Sequence, residues 1–447
     1  MSQNPLHPLI SRPSGPLKGV VTPPGDKSIS HRAVILGGIA EGETVIKGLL
    51  EGEDVLRTVA ALRALGATAR KDSDGIWRIK GTGLEGLHAP ADMLDMGNSG
   101  TAARLLIGLL AGKSFASRFT GDASLQKRPM KRVIEPLMQM GASFESNEGR
   151  LPLTVTGAAK PTAITYELPV ASAQVKSAIL LAGLSAEGVT TVIERAPTRD
   201  HSERMLRAFG AHIEVKKTAE GEAISLTGKP RLKGQNITVP ADPSSAAFPL
   251  VAALLHPGSR VTLKNTGINP RRAGLIETLK EMGGKIALEN RREESGEPVA
   301  DLVVEGGKLK GITVPAERAP SMIDEYPILA VAAACAEGTT RMQGLGELRV
   351  KESDRLELMR AGLALCGARA EIEGDDLIVH GTSQSPPGMT NGIGATVLTA
   401  MDHRIAMSFL ILGSAAQEPV RIDDGSFIAT SFPGFVAMMN GLGMKIG

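Results

Sequence analysis

Six short polar blocks recur along this sequence, each just ahead of an apolar run. They are GDKSISHR with Lys27, Ser28 and Arg32, GNSGTAAR with Asn98, Ser99, Gly100, Thr101 and Arg104, and ASAQVK with Ser172, Gln174 and Lys176. The other three are DPSS with Asp242, Ser244 and Ser245, IDEY with Asp324 and Glu325, and MDHR with Asp402, His403 and Arg404. If each apolar run is a helix, these blocks sit at its N-terminus. There, free N–H groups and the positive end of the dipole favour phosphates and carboxylates. Six such helix starts pointing at one cleft would make a strong anion site. A second set opens the amphipathic segments: EGEDV (Asp54), QKRPMKR (Lys127, Arg128, Lys131, Arg132), TRDH (Thr198, Arg199), NPRR (Arg271, Arg272), RVKESDR (Lys351, Glu352, Asp354, Arg355) and ATSF (Thr430, Ser431).

Each block alone has a plainer reading. Lys27 could be an exposed lysine before a helix, QKRPMKR a solvated basic loop, and KESDR a salt-bridged helix face. Asp402 could be a helix cap followed by a surface arginine, and Asp324 and Glu325 simple helix-start charges. Recurrence in phase across the chain favours a shared site over all of these. Several common chemistries are excluded by spacing. GDKSISHR has the Lys-Ser pair but not the glycine spacing of a P-loop, and no G-x-S-x-G elbow accompanies a Ser-His-Asp set. The eight histidines are scattered, with no pair at ligand spacing, so neither a metal nor a cofactor is expected, and chelators should leave activity unchanged.

The elements that must carry these residues form a repeat. A hydrophobic-Gly-small junction recurs at Gly66, Gly141, Gly210, Gly283, Gly367 and Gly443, at intervals of 69 to 84 residues. In phase with it come six all-apolar stretches, such as AVILGGIAEG, AILLAGLSAEG and IAMSFLILGSAA. A helix apolar on every side belongs in a core. Each is followed by a β-like run, an amphipathic helix ending on the glycine in a left-handed cap, and usually two further β-like runs. The unit is β-α-β-α-β-β, present six times in an α/β chain, and sustained periods of this kind mark a repeat architecture. LKGVVTPP, LKGQNITVP and LKGITVP open three of the repeats. The last repeat stops before its final strand, and the segment Leu17–Pro23 is expected to supply it. Three repeats per domain predict one domain over 25–241 and a discontinuous one from 1–24 plus 242–447.

The length of 447 residues allows two or three domains. A formal net charge of +2 is too small for bulk attraction to nucleic acid or membranes, and no stacking aromatics are interleaved with the basic residues. Cys335 and Cys366 lie in apolar runs and read as small buried hydrophobes. MSQNPLHPLISRP lacks a charged-then-apolar leader pattern, and no apolar run is long enough to span a bilayer. These readings place the protein in the cytoplasm.

The blocks GDKSISHR, GNSGTAAR, LQKRPM, SAQVKSAILLAGL, RVKESDR and MDHRIAMSF, in that order, resemble the 5-enolpyruvylshikimate-3-phosphate synthase family over nearly the whole chain. The resemblance implies a two-domain inverse α/β barrel, three repeats per domain, that closes around substrate in an interdomain cleft, with shikimate 3-phosphate on the side of repeats 1–3. It implies transfer of the enolpyruvyl group of phosphoenolpyruvate to the 5-hydroxyl of shikimate 3-phosphate, the sixth step of the shikimate pathway to aromatic amino acids. Lys27, Ser28, Arg32, Ser172, Ala173, Gln174, Arg199, Asp324 and Lys351 would hold shikimate 3-phosphate. Lys27, Gly100, Arg128, Gln174, Arg355 and Arg404 would hold phosphoenolpyruvate. Asp324 would serve as base, with Glu352 and Lys27 handling protons. The protein would be a monomer using small molecules alone. Two positions depart from the family pattern: Glu347 stands where many members carry Asn, and Thr430 where many carry Lys. TRDH, DPSS and RVKESDR resemble a bacterial subgroup that includes glyphosate-tolerant members. The related enzyme acting on UDP-N-acetylglucosamine typically has a mobile-loop cysteine near GDASLQKRP, which is absent here. An RNA-end-binding protein on related repeats is the other alternative, disfavoured by the charge and the missing aromatics.

Overall fold

The computed structural model describes residues 6–383 and 396–447. MSQNP, part of the stretch bearing on a leader, lies outside them. The six all-apolar runs are helices: Lys27–Ile39, Gly100–Ala111, Ala173–Gly183, Pro243–Leu255, Tyr326–Cys335 and His403–Ala415. Five begin on a residue whose own side chain accepts a backbone N–H of the first turn: Asp26, Ser99, Ser172, Asp242 and Asp402. Such a cap contributes about 1 kcal/mol and fixes where the helix starts. The polar residues beside each cap are thereby placed at a helix N-terminus. At the sixth start, Glu325 makes no cap bond with its side chain.

The amphipathic helices end as their glycines require. Gly66, Gly141, Gly210, Gly283, Gly367 and Gly443 all have φ between 76° and 117°, a region closed to most side chains. Five of the repeats then add a four-stranded sheet with one strand order, and the sixth adds a three-stranded one. In the second repeat, Leu94–Asp95 lies parallel to Ala116–Thr120, which pairs antiparallel with Arg150–Thr156, which pairs antiparallel with Ser143–Asn147. The third and fifth repeats follow the same order.

The remaining sheets borrow strands from distant sequence. Glu43–Lys47 in the first repeat takes Asn236–Thr238 as its parallel neighbour. Arg260–Gly267 in the fourth takes Lys18–Val21. The last sheet has Leu9–Arg12 between Val420–Ile422 and Lys445–Ile446. This corrects the expectation for Leu17–Pro23. The final strand of the sixth repeat does come from before Gly25, but it is Leu9–Arg12, and Lys18–Val21 serves the fourth repeat instead.

Two compact units result. One comprises 25–239 with 293–297; the other comprises 1–24, 240–292 and 298–447. Each has its own continuous core, built around three of the apolar helices. The leucines that open the matching LKG runs, Leu17, Leu232 and Leu309, are all buried. At roughly 2 kcal/mol per buried aliphatic side chain, these cores dominate the stabilising side of folding. Cys366 is buried and Cys335 partly so, and burial pushes both thiols up to about 12. Among the described residues, no helix is long and apolar enough to cross a membrane, and no group of three or more His, Cys, Asp or Glu is placed to hold a metal ion.

Candidate active site

In the unit holding residues 25–239, polar groups collect at the starts of its three core helices. Lys27 opens the first, and its Nζ lies 3.0 Å from Asp54 Oδ2, at the start of the helix Glu53–Ala64. The pair is mostly enclosed, so neither residue is the freely solvated charge it could have been. Arg32, one turn on, is buried. Its Nε donates to Ser202 Oγ at 2.7 Å, its Nη2 to Ser177 Oγ at 2.7 Å and its Nη1 to the Ser28 carbonyl at 3.0 Å. Burial lowers its pKa to about 10 despite the opposing carboxylates of Glu203 and Asp26, so it keeps its charge near neutrality. Between them His31 is held neutral, at about 3, by burial and by the charges of Lys27 and Arg32. Its Nδ1 lies 2.8 Å from Thr58 Oγ1 and its Nε2 3.4 Å from Ser99 Oγ, tying the first core helix to the cap of the second.

At that second helix, Arg104 Nη1 donates to Gln174 Oε1 at 2.8 Å, and Gln174 Nε2 donates to Thr101 Oγ1 at 2.9 Å. Gln174 is thus oriented by the neighbouring helix start. Arg128 donates to Asn98 Oδ1, whose amide donates to Asp122 Oδ2 at 2.7 Å. Gly100 lies against both arginines: a methyl there would stand 2.8 Å from Arg104 Nη1 and 3.1 Å from Arg128 Nη1. Ser172 spends its hydroxyl capping the third helix, next to Ala173. Lys176, grouped by sequence with the anion-binding candidates, has a different role. It is fully buried between Glu194 and Glu203, at 3.0 and 2.6 Å. Glu194 also accepts from the Thr198 N–H and hydroxyl, fixing the loop that leads to Arg199.

In the other unit the cluster is built on Arg355, the first residue of the helix Arg355–Leu365 and 1% exposed. Its Nε meets Asp402 Oδ2 at 2.8 Å, its Nη2 meets Glu352 Oε2 at 2.6 Å, and its Nη1 meets Asp324 Oδ1 at 3.3 Å. Burial alone would lower the Arg355 pKa, but the carboxylates of Asp402, Glu352 and Asp324 outweigh it and push the value up. Lys351 Nζ lies 3.8 Å from the same oxygen of Asp324. Asp402 caps its own helix through Oδ1 and accepts from Ser353 through Oδ2. Arg404 is buried, with Nη1 donating to the Asp324 carbonyl at 3.2 Å. The surface readings of KESDR and MDHR therefore fail, because both arginines lie inside. Of the residues expected to share a site, Asp324 and Glu352 meet one guanidinium, and Lys351 lies beside Asp324. Of the two departures, Thr430 donates to the Phe427 carbonyl at 2.7 Å, and Glu347 lies in the short helix Gly346–Val350.

Sequence reasoning did not single out Ser177, Ser202, Thr58 or Asp122, the groups that hold Arg32, His31 and Asn98. These are single hydroxyls or carboxylates far along the chain, and only tertiary packing brings them in.

Residues 11–439 match the profile of EPSP synthase (3-phosphoshikimate 1-carboxyvinyltransferase). A 3-phosphoshikimate 1-carboxyvinyltransferase of Paramagnetospirillum magneticum is 63% identical over 441 residues, covering 98% of each chain. One from Acidiphilium cryptum is 59% identical, over 97% of this chain and 96% of its own. The structure of EPSP synthase from Acinetobacter baumannii is similar at a TM-score of 0.85 and 46% identity, covering 98% of this chain and 99% of that one. The enolpyruvyl transferase NikO from Streptomyces tendae shares the fold, at a TM-score of 0.74 and 17% identity, covering 99% of each chain. The chain belongs to the EPSP synthase family.

Proposed function

We propose that the protein transfers the enolpyruvyl group of phosphoenolpyruvate to the 5-hydroxyl of shikimate 3-phosphate and releases phosphate. The observation that carries this reading is the cluster at Arg355, within a chain 63% identical to a 3-phosphoshikimate 1-carboxyvinyltransferase. There one buried guanidinium, a lysine and three carboxylates stand together, so groups suited to an anion lie beside groups suited to carrying a proton.

The reaction is an addition followed by an elimination. The 5-hydroxyl oxygen bonds to C2 of phosphoenolpyruvate, the hydroxyl proton leaves, and C3 takes up a proton to become a methyl. The resulting tetrahedral adduct then loses a proton from C3 as the C2–O bond to phosphate breaks. In this reading Asp324 accepts the hydroxyl proton, and Glu352 and Lys27 deliver and remove the proton at C3. Shikimate 3-phosphate is held by Lys27, Ser28, Arg32, Ser172, the Ala173 backbone, Gln174, Arg199, Asp324 and Lys351. Phosphoenolpyruvate is held by Lys27, Gly100, Arg128, Gln174, Arg355 and Arg404. Arg32 supports its part because it keeps its charge despite burial, and serines rather than carboxylates hold its fork. The protein acts as a cytoplasmic monomer without metal or cofactor.

The test is phosphate release from phosphoenolpyruvate with each acceptor in turn. Release with shikimate 3-phosphate and none with UDP-N-acetylglucosamine is the expected result. Release with the nucleotide sugar alone would overturn the acceptor.

A further inference from the structure

Glu325 stands apart among the starts of the six core helices. The other five residues in its position turn their side chains back to cap their own helices, and Glu325 does not. It is nonetheless 2% exposed, so its carboxylate has been taken out of water for some other purpose. A buried carboxylate is costly unless cations and donors surround it. The Ser244 hydroxyl donates to its Oε1, and Arg404 Nη1 lies 3.8 Å from the same oxygen. Ser244 is in turn fixed by Arg272, whose Nη2 donates to Ser244 Oγ at 2.7 Å and to Asp242 Oδ1 at 3.2 Å. All of these residues lie in one unit.

The arrangement bears on one end of one side chain. Arg404 Nη1 is held from two directions, by the Asp324 carbonyl and by the Glu325 carboxylate. Among the described residues, no other side-chain nitrogen of Arg404 makes a hydrogen bond. The edge formed by Nη2 and Nε is therefore the part of the fork left for a ligand, and that edge is the one that grips a carboxylate or phosphate with two parallel bonds. We propose that Glu325 is a positioning residue for Arg404. Through Ser244 and Arg272 it anchors Nη1 and presents the other edge of the guanidinium to phosphoenolpyruvate. The inference rests on the reading that Arg404 binds that substrate. Glu325 touches neither substrate and acts through Arg404 alone.

Four variants test it by steady-state kinetics with each substrate varied. Arg404→Gln should raise the KM for phosphoenolpyruvate strongly. Glu325→Ala should raise the same KM about tenfold, the loss of roughly one charge-assisted contact, and leave the KM for shikimate 3-phosphate within about twofold. Glu325→Gln keeps an acceptor for Ser244 but loses the charge that faces Arg404. It should fall between wild type and Glu325→Ala, and it carries the test if the alanine variant does not fold. The double variant Arg404→Gln/Glu325→Ala should be no worse than Arg404→Gln alone, since the two act as one unit. If Arg404→Gln leaves the KM for phosphoenolpyruvate unchanged, the reading of Arg404 fails and the proposal with it. If Arg404→Gln has its effect but Glu325→Ala shifts both KM values equally or neither, Glu325 is only structural and the proposal alone fails. Additive effects in the double variant would also overturn it.

Discussion

Lys27 and Gly100 are single positions at which a small change in side chain separates binding from chemistry. Lys27 sits at a helix N-terminus with Asp54 3.0 Å away, and in the proposed reaction it contacts both reactants. Lys27→Met keeps the stem and removes the charge. Turnover should fall by at least about a hundredfold, or roughly 2.7 kcal/mol of barrier, while a thermal melt shows the fold intact. Half-normal activity at saturating substrates would contradict the role given to Lys27. Gly100 bears on glyphosate, which occupies the phosphoenolpyruvate site in this family. Tolerant members tend to carry Ala here, and the resemblance to their subgroup elsewhere in the chain makes the glycine informative. The space beside it is bounded by the guanidinium ends of Arg104 and Arg128. A methyl would push on Arg128, a proposed substrate ligand, so the KM for phosphoenolpyruvate should rise too. The longer inhibitor should lose more: overpacking by one methyl costs about 1–3 kcal/mol, or about fivefold to 150-fold in affinity. Wild type should therefore be inhibited competitively. Gly100→Ala should raise the glyphosate inhibition constant by a larger factor than the KM, with both constants measured on both forms. Insensitivity of the wild type at millimolar glyphosate would remove Gly100 as the determinant.

Among the elements, the core helices show why some features were legible in the sequence and others were not. The six glycines ending the amphipathic helices were readable because a left-handed cap tolerates few other residues, and the all-apolar runs because only a core accepts them. Leu9–Arg12 was not readable. It is four residues between prolines, and its partners, Val420–Ile422 and Lys445–Ile446, lie more than 400 residues away, so no local period reveals it. Lys176 was misassigned for a related reason. Its place in ASAQVK looks like that of Gln174, and only the folded chain shows that it faces Glu194 and Glu203. Close helix approach was equally hidden. Gly108, inside the helix Gly100–Ala111, would bring a methyl to 2.4 Å from the Ala178 carbonyl oxygen and 2.5 Å from the Ala178 Cα, both backbone atoms that cannot turn aside. Gly441, exposed in the helix Phe435–Leu442, has nothing within 4 Å. Gly108→Ala should destabilise the protein by about 1–3 kcal/mol or more, and Gly441→Ala should stabilise it by about 0.4–1 kcal/mol. Denaturant unfolding of both variants checks the pair, and equal effects would mean that the helices separate more easily than their contact suggests.

For the whole molecule, His31 sets an acid limit on stability. Its folded pKa is lowered to about 3 by burial and by Lys27 and Arg32, against an ordinary value of 6.5. Between those values the unfolded chain binds a proton that the folded chain refuses. This contribution is therefore fully present above about pH 6.5 and declines as the pH falls, by at most about 1.4 kcal/mol per pH unit. His31→Gln can still bridge Thr58 and Ser99 but does not titrate. Its Tm should fall less between pH 7 and pH 5 than the wild-type Tm, and parallel slopes would show that other groups govern acid stability. The borrowed strands have a different consequence, for the order in which the protein is made. Residues 25–239 leave the ribosome as one stretch and carry their own core, so that core can close while synthesis continues. Lys18–Val21 emerges earlier but must wait for Arg260–Gly267, and Leu9–Arg12 must wait for Val420–Ile422 and Lys445–Ile446. At about 5–20 residues per second, that leaves the first strands without partners for tens of seconds, a period in which chaperones or neighbouring nascent chains could pair with their exposed edges.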